Sequence, residues 1–139
     1  MSQENVEVVR RISETFEAGV ERGDFGAAWT TGALAEDCEL IPAPENPEPR
    51  RYQGREGFTE FMLNWTEDFE GYSIHRERLI DAGEDRVVGF FTQSATGKGS
   101  GAPVEQEYAV VYELENGQLV RLRIYLDRDQ ARQAVGLWD

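Results

Sequence analysis

The sequence is poor in the residues that carry the most recognisable chemistry. It has one cysteine, Cys38, and one histidine, His75, in 139 residues. A single cysteine forms no disulfide within the chain, so nothing in it requires an oxidising compartment. One histidine with no clustered cysteines argues against a zinc site, and no metal or cofactor is expected. Cations are scarce too: 14 Lys and Arg face 27 Asp and Glu, a formal net charge of −13. A surface that acidic repels polyanions, which argues against nucleic acid and against an anionic membrane as partners. No apolar run approaches the roughly 18 residues that suggest a membrane-crossing helix. The opening Met1-Ser2-Gln3-Glu4-Asn5-Val6-Glu7 is acidic and unlike a secretory signal, so a cytoplasmic protein is expected. Repeats at solenoid or propeller periods are missing. Gly97-Lys98-Gly99-Ser100-Gly101 lacks the GxxxxGK[ST] spacing of a phosphate loop and reads as a hairpin loop.

What is present suffices for one core. Hydrophobic residues make up 40% of the chain and aromatics 11%, and the length suits a single domain over residues 1–139. Ser2 can cap a first helix, with Val8, Val9, Ile12, Phe16 and Val20 at helical spacing and Gly23 as its C-terminal stop. A short second helix carries Phe25, Ala28 and Trp29. Cys38 to Ile41 reads as a strand that Pro42 stops. The stretch Pro42 to Pro49 is then an extended loop, either a connector or a pocket lid. Phe58, Phe61, Met62, Trp65 and Phe69 predict a third helix whose aromatic stripe is better read as core than as a cofactor site. The rest is strand: Tyr72 to Asp81, Val87 to Ser94, Glu105 to Leu114 and Gln118 to Leu126. Asn116-Gly117 predicts a tight hairpin between the last two. Helices first and an antiparallel meander afterwards make an α+β layout.

Several segments resemble the SnoaL-like polyketide cyclase group, within the nuclear transport factor 2-like and ketosteroid isomerase-like superfamily. They are Asn5 to Arg11, Arg22-Gly23-Asp24, Glu36-Asp37, Tyr52 to Gly57, Asn116 to Arg121, and Tyr125-Leu126-Asp127. The resemblance implies a cone-shaped barrel: a curved antiparallel sheet wrapped around three helices, with a deep apolar pocket, commonly a homodimer. It does not by itself imply an activity. The isomerase branch uses a tyrosine, a carboxylate base and a protonated aspartate. By that resemblance these positions fall on Phe16, on or beside Pro42, and on or near Val110, none of which donates or accepts a proton. The epoxide-hydrolase branch uses Asp-Arg-Asp, where this chain reads Phe90-Phe91-Thr92-Gln93. The acid/base aspartate of the cyclase enzymes has one comparable residue here, Asp127. Strand alternation turns it away from the pocket, and it is better read as the N-cap of a last helix.

Parity also selects a lining. Tyr108, Val110, Tyr112 and Leu114 share one face of their strand, as do Leu122, Ile124 and Leu126 of the next. The helices add Phe16, Trp29, Phe61 and Trp65, and the first strand adds Cys38 and Leu40. The pocket so inferred is large, aromatic and nearly uncharged. Its polar groups are the Tyr108 and Tyr112 hydroxyls, two indoles, and Gln93 or Thr92. The same side chains equally read as plain core filling. His75 and Glu39 read as surface, Cys38 as a small buried hydrophobe, and Arg55-Glu56 as a structural pair at a helix start. On the opposite sheet face, Ala109 and Val111 accompany Arg121, Arg123 and Tyr125. A mixed face of this kind suits a homodimer whose partner offers carboxylates to the arginines. Three functions remain open: a binding protein for a small hydrophobic molecule, an isomerase, cyclase or dehydratase acting on a flat substrate, and a structural interaction module. A buried charged group in the pocket favours the enzyme, and a filled interior favours the module.

Overall fold

A computed structural model describes residues 2–45 and 50–136. The first helix, α1, runs Ser2–Arg22 and buries Val6, Val9 and Ile12, with Phe16 and Val20 half-buried on the same side. It stops where Gly23 takes a left-handed φ of 79° and the Asp24 N–H donates to the Gly19 carbonyl at 2.8 Å. The second helix is only a 3-10 turn, Ala27–Thr31. Next come β1 (Leu34–Ile41), β2 (Tyr52–Gln53), α2 (Gly54–Thr66), β3 (Phe69–Gly83), β4 (Arg86–Gly97), β5 (Pro103–Glu115), β6 (Gln118–Tyr125) and α3 (Arg128–Ala134). The helix predicted to reach Phe69 ends at Thr66, because the Lys98 N–H from the β4–β5 loop holds the Asp68 carbonyl at 2.9 Å and Phe69 already opens β3. Of the proline-rich loop, Pro47 and Pro49 lie outside the described residues.

The six strands form one curved sheet in the order β2-β1-β6-β5-β4-β3. The meander β3 to β6 is antiparallel as expected. Asn116 and Gly117, at φ 52° and 79°, form the tight turn between β5 and β6. Two features refine the expected α+β cone. β1 runs parallel to β6, since the whole meander separates them and no hairpin sets their relative direction. The sheet also stays open, with β2 and β3 as its edges, so the cone is a curved, unclosed wrap. Register shifts along the β3–β4 pair are where an extra residue lets strands bend.

α1 lies against β3 and β4, and α2 against β1, on the concave face. On the convex face, α3 covers a second cluster in which Ala131 and Val135 join Val88, Phe90, Ala109 and Val111. This alters the basis for a homodimer through that face. Val111 and Ala109 are already buried by the chain itself. Arg121 bonds Glu39 at 2.8 Å and Glu113 at 3.0 Å, and Arg123 bonds Glu113 at 2.8 Å, so the carboxylates expected from a partner are supplied internally. Among the described residues, no helix is long and apolar enough to cross a membrane.

Candidate functional site

Between α1, α2 and the concave face lies a cavity of about 170 Å³. Of the residues singled out by periodicity and parity, Phe16, Trp29, Phe61, Trp65, Tyr108, Val110 and Tyr112 all line it, together with Leu122, Ile124 and Leu126. Leu40 does not, and neither does Cys38. Both sit in the buried cluster that includes Tyr52, Phe61 and Met62, where α2 lies against β1 and closes off that part of the sheet. The strand β1 instead reaches the cavity through Leu34 at its start, with Ala43 and Glu45 following its end. Between these points Glu36 and Asp37 are both exposed, which breaks simple alternation.

The space is smaller than a large polycyclic pocket because aromatic rings occupy much of it. Phe16 meets Phe58 edge-on at 5.4 Å, and Phe58 meets Trp29 at 5.6 Å. Across the cavity Phe91 stacks on Tyr108 at 5.3 Å. Such pairs lock the rings in place, so the void is framed by rigid walls.

Two polar groupings interrupt the apolar lining. In the first, the Gln93 carbonyl oxygen accepts from the Tyr72 hydroxyl at 2.7 Å and from the Trp65 indole at 3.3 Å, while its amide donates to Gln106 at 2.8 Å. Burial pushes the Tyr72 phenol well above its usual range. The Trp29 indole is engaged too, donating to the Ala35 carbonyl at 3.2 Å. Thr92 is not part of the lining; its hydroxyl donates to Glu77.

The second grouping comes from α1 and β5. Ser13 is 4% exposed, lines the cavity, and its Oγ has no hydrogen-bond partner. Glu17, one turn further along, lines the cavity as well. Burial raises its carboxyl above the ordinary value. Arg76, whose guanidinium lies 3.4 Å from Oε2, opposes that rise, Glu14 adds to it, and His75 opposes it. Burial also pushes the Tyr112 phenol well above its usual range, against the influence of the Ser13 hydroxyl beside it. The cavity is therefore not nearly uncharged, as the sequence suggests: Glu17 and the exposed Glu45 both line it, and of the two Glu17 is the partly buried one. Ser13 and Glu17 were legible in principle: Val9, Ser13 and Glu17 follow i, i+4, i+8, which puts both polar residues on the buried side of α1.

The remaining candidates lie elsewhere. Asp127 is exposed and caps α3, its Oδ1 accepting from the Asp129 N–H at 2.9 Å. His75 is exposed. Cys38 is buried, and burial pushes its thiol up to about 12, which leaves it unreactive near neutrality. Arg55 pairs with Asp24 at 3.7 Å. Phe16 and Val110 face the cavity and Pro42 is buried beyond β1, so these three positions supply no proton-transfer group.

A sequence model of the SnoaL-like domain matches residues 10–122. No curated protein matches the chain. Solved structures resemble it closely in fold. A provisionally assigned SnoaL-like polyketide cyclase from Jannaschia sp. CCS1 shares 18% identity, with a TM-score of 0.70 over 99% of this chain and 95% of that one. A nuclear transport factor 2-like protein from Burkholderia thailandensis E264 shares 25% identity, with a TM-score of 0.68 over 94% of this chain and 95% of that one. TerC, co-crystallised with polyporic acid, shares 17% identity, with a TM-score of 0.69 over 96% of this chain and 98% of that one.

Proposed function

The chain belongs to the SnoaL-like domain family, and from that premise we propose that it binds a small, flat, largely apolar molecule in the cavity between α1, α2 and the sheet. The observation that carries this reading is the cavity itself: about 170 Å³, framed by aromatic rings. Its volume decides the size of the ligand. Protein cavities of about 150 Å³ accept benzene, whereas pockets for larger ligands begin at roughly 300 Å³. A single ring fits without rearrangement, and a four-ring steroid does not. That a relative, TerC, was co-crystallised with polyporic acid supports small-molecule binding as a use of this fold.

Burying about 150 Å² of ring at about 25 cal/mol per Å² gives roughly 4 kcal/mol, which corresponds to millimolar affinity. Titration with toluene, followed by tryptophan fluorescence, tests the reading because Trp29 and Trp65 both line the space. Saturable quenching is the expected result. No quenching, together with no binding heat, would leave the structural-module reading in its place.

A second reading, an enzyme that moves a proton on such a ligand, is favoured by Glu17, a partly buried carboxylate at the cavity wall. Cyclohexenone in deuterated buffer separates the two. Exchange at its α′-carbon, C6, above the buffer rate, lost in Glu17→Gln, supports catalysis, and a buffer rate throughout supports binding alone.

A further inference from the structure

We infer that the Ser13–Glu17–Tyr112 corner recognises a hydroxyl group carried by the ring, so that the cavity selects small phenols over hydrocarbons of the same shape. This rests on the proposal that the cavity is the binding site. The two polar groupings in it differ in one respect. The Gln93 grouping is internally engaged: its carbonyl oxygen already accepts two hydrogen bonds and its amide donates one. In the α1 corner Arg76 holds Glu17, but the Ser13 hydroxyl is not engaged. Ser13 is 4% exposed with an unpartnered Oγ. A buried hydroxyl without a partner is costly, and structures rarely keep one unless something else completes it.

The chemistry of the corner specifies what completes it. Arg76 engages Oε2 of Glu17 from β3 at 3.4 Å, which steadies the carboxylate and leaves Oε1 for a donor. Ser13 stands one helical turn before Glu17 on the same side, and Tyr112 lines the same cavity from β5. The site thus offers one carboxylate acceptor and two hydroxyls able to donate. A hydroxyl group on the ligand matches this set, with one proton to give and lone pairs to receive. A phenol would donate to Glu17 and accept from Ser13 or Tyr112, with its ring in the aromatic frame. A ring bearing a carboxylate would meet Glu17 as a like charge, within a chain of net charge −13.

The experiment compares p-cresol with toluene on the full chain by calorimetry. The two share a ring and methyl group and differ only in the hydroxyl. p-Cresol should bind about tenfold more tightly or better, the change of one good hydrogen-bonding arrangement. Ser13→Ala and Glu17→Gln should each shrink the ratio of p-cresol to toluene affinity, with circular dichroism reporting that the variants fold. Equal affinity of the two ligands for the natural protein would overturn the inference and leave the cavity proposal standing. So would a preference that both variants retain. If toluene itself fails to bind, the cavity proposal falls first and this inference with it.

Discussion

The two faces of β5 carry neighbouring residues into opposite kinds of packing. Ala109 and Val111 meet a short helix, α3, whose Ala131 and Val135 settle onto the sheet beside Val88 and Phe90. Every one of these side chains is at most 7% exposed. Tyr108, Val110 and Tyr112 face the other way, toward α1 and α2, and border about 170 Å³ of open volume. The difference lies in the covering side chains. Small residues on a seven-residue helix come close to the strands. Large rings on α1, α2 and the 3-10 turn between them brace one another first, as Phe16, Phe58 and Trp29 do, and hold the helices off the sheet. The cavity therefore follows from the size and mutual contact of aromatic side chains.

Truncating one ring on each face should give unequal losses. Phe90 is 2% exposed, and the guanidiniums of Arg132, Arg78 and Arg128 lie 4.9, 5.7 and 5.7 Å from its ring centre. Phe90→Ala should cost about 3–5 kcal/mol in urea unfolding, the range for an enclosed ring. Phe16→Ala should cost under about 2 kcal/mol, because a ring that borders empty space forfeits fewer contacts. Equal losses would mean that the cavity collapses and that its walls are ordinary core.

Enlargement reverses the sense of the test. Ala109→Leu adds bulk to a face with no space to spare and should destabilise by about 1–3 kcal/mol. Val110→Leu, one residue along, should stay within about 0.5 kcal/mol while weakening toluene binding, since the added methylene enters the void. A Val110 variant as unstable as the Ala109 variant would show that no usable space exists beside it.

Sequence patterns reveal one side of this comparison better than the other. Strand parity along β5 and β6 separates Tyr108, Val110, Tyr112, Leu122, Ile124 and Leu126 from their neighbours, because side chains alternate between the two faces there. Helical stripes place Phe16, Phe61 and Trp65 on the inward side. What covers each face is a tertiary matter. Leu40 has the right parity but lies where α2 meets β1, which no local pattern predicts. α3 is readable as a short helix, yet its docking over Val111 is not, so that face looks unpartnered in sequence. Glu84 and Asp85 turn β3 into β4 at φ 55° and 59°, without the Asn-Gly that announces the turn at 116–117. Glu17 is hard to read in sequence because the apolar stripe of α1, Val9, Ile12, Phe16 and Val20, gives no sign that a carboxylate shares its buried side.

Asp127 offers a smaller test that separates scaffold from site. It caps α3 and takes no part in the cavity wall. Asp127→Ala should cost about 1 kcal/mol through loss of the cap and leave p-cresol and toluene affinities unchanged. A stable variant that has lost ligand binding would return Asp127 to the site.

The smallest effect concerns how α3 is tied to the convex face. Arg128 donates to both carboxylate oxygens of Glu77, at 3.1 and 2.7 Å, and Thr92 donates to the same group. These hydrogen bonds hold the Glu77 carboxyl down to about 2, against an ordinary value of 4.5. A carboxylate bound more tightly in its ionised form stabilises the fold above its unfolded value, and that contribution fades as pH falls toward the folded one. The Glu77 contribution is thus present at neutral pH and is lost between about 4.5 and 2. Because the pair is accessible to solvent, screening keeps it weak. Glu77→Gln should change the melting temperature little at pH 7, yet make its decline between pH 4.5 and 2 shallower than in the natural protein. Identical slopes would mean that apolar contacts of Ala131 and Val135, rather than the ion pair, fix α3 to the sheet. The packed face would then owe its closure to burial alone.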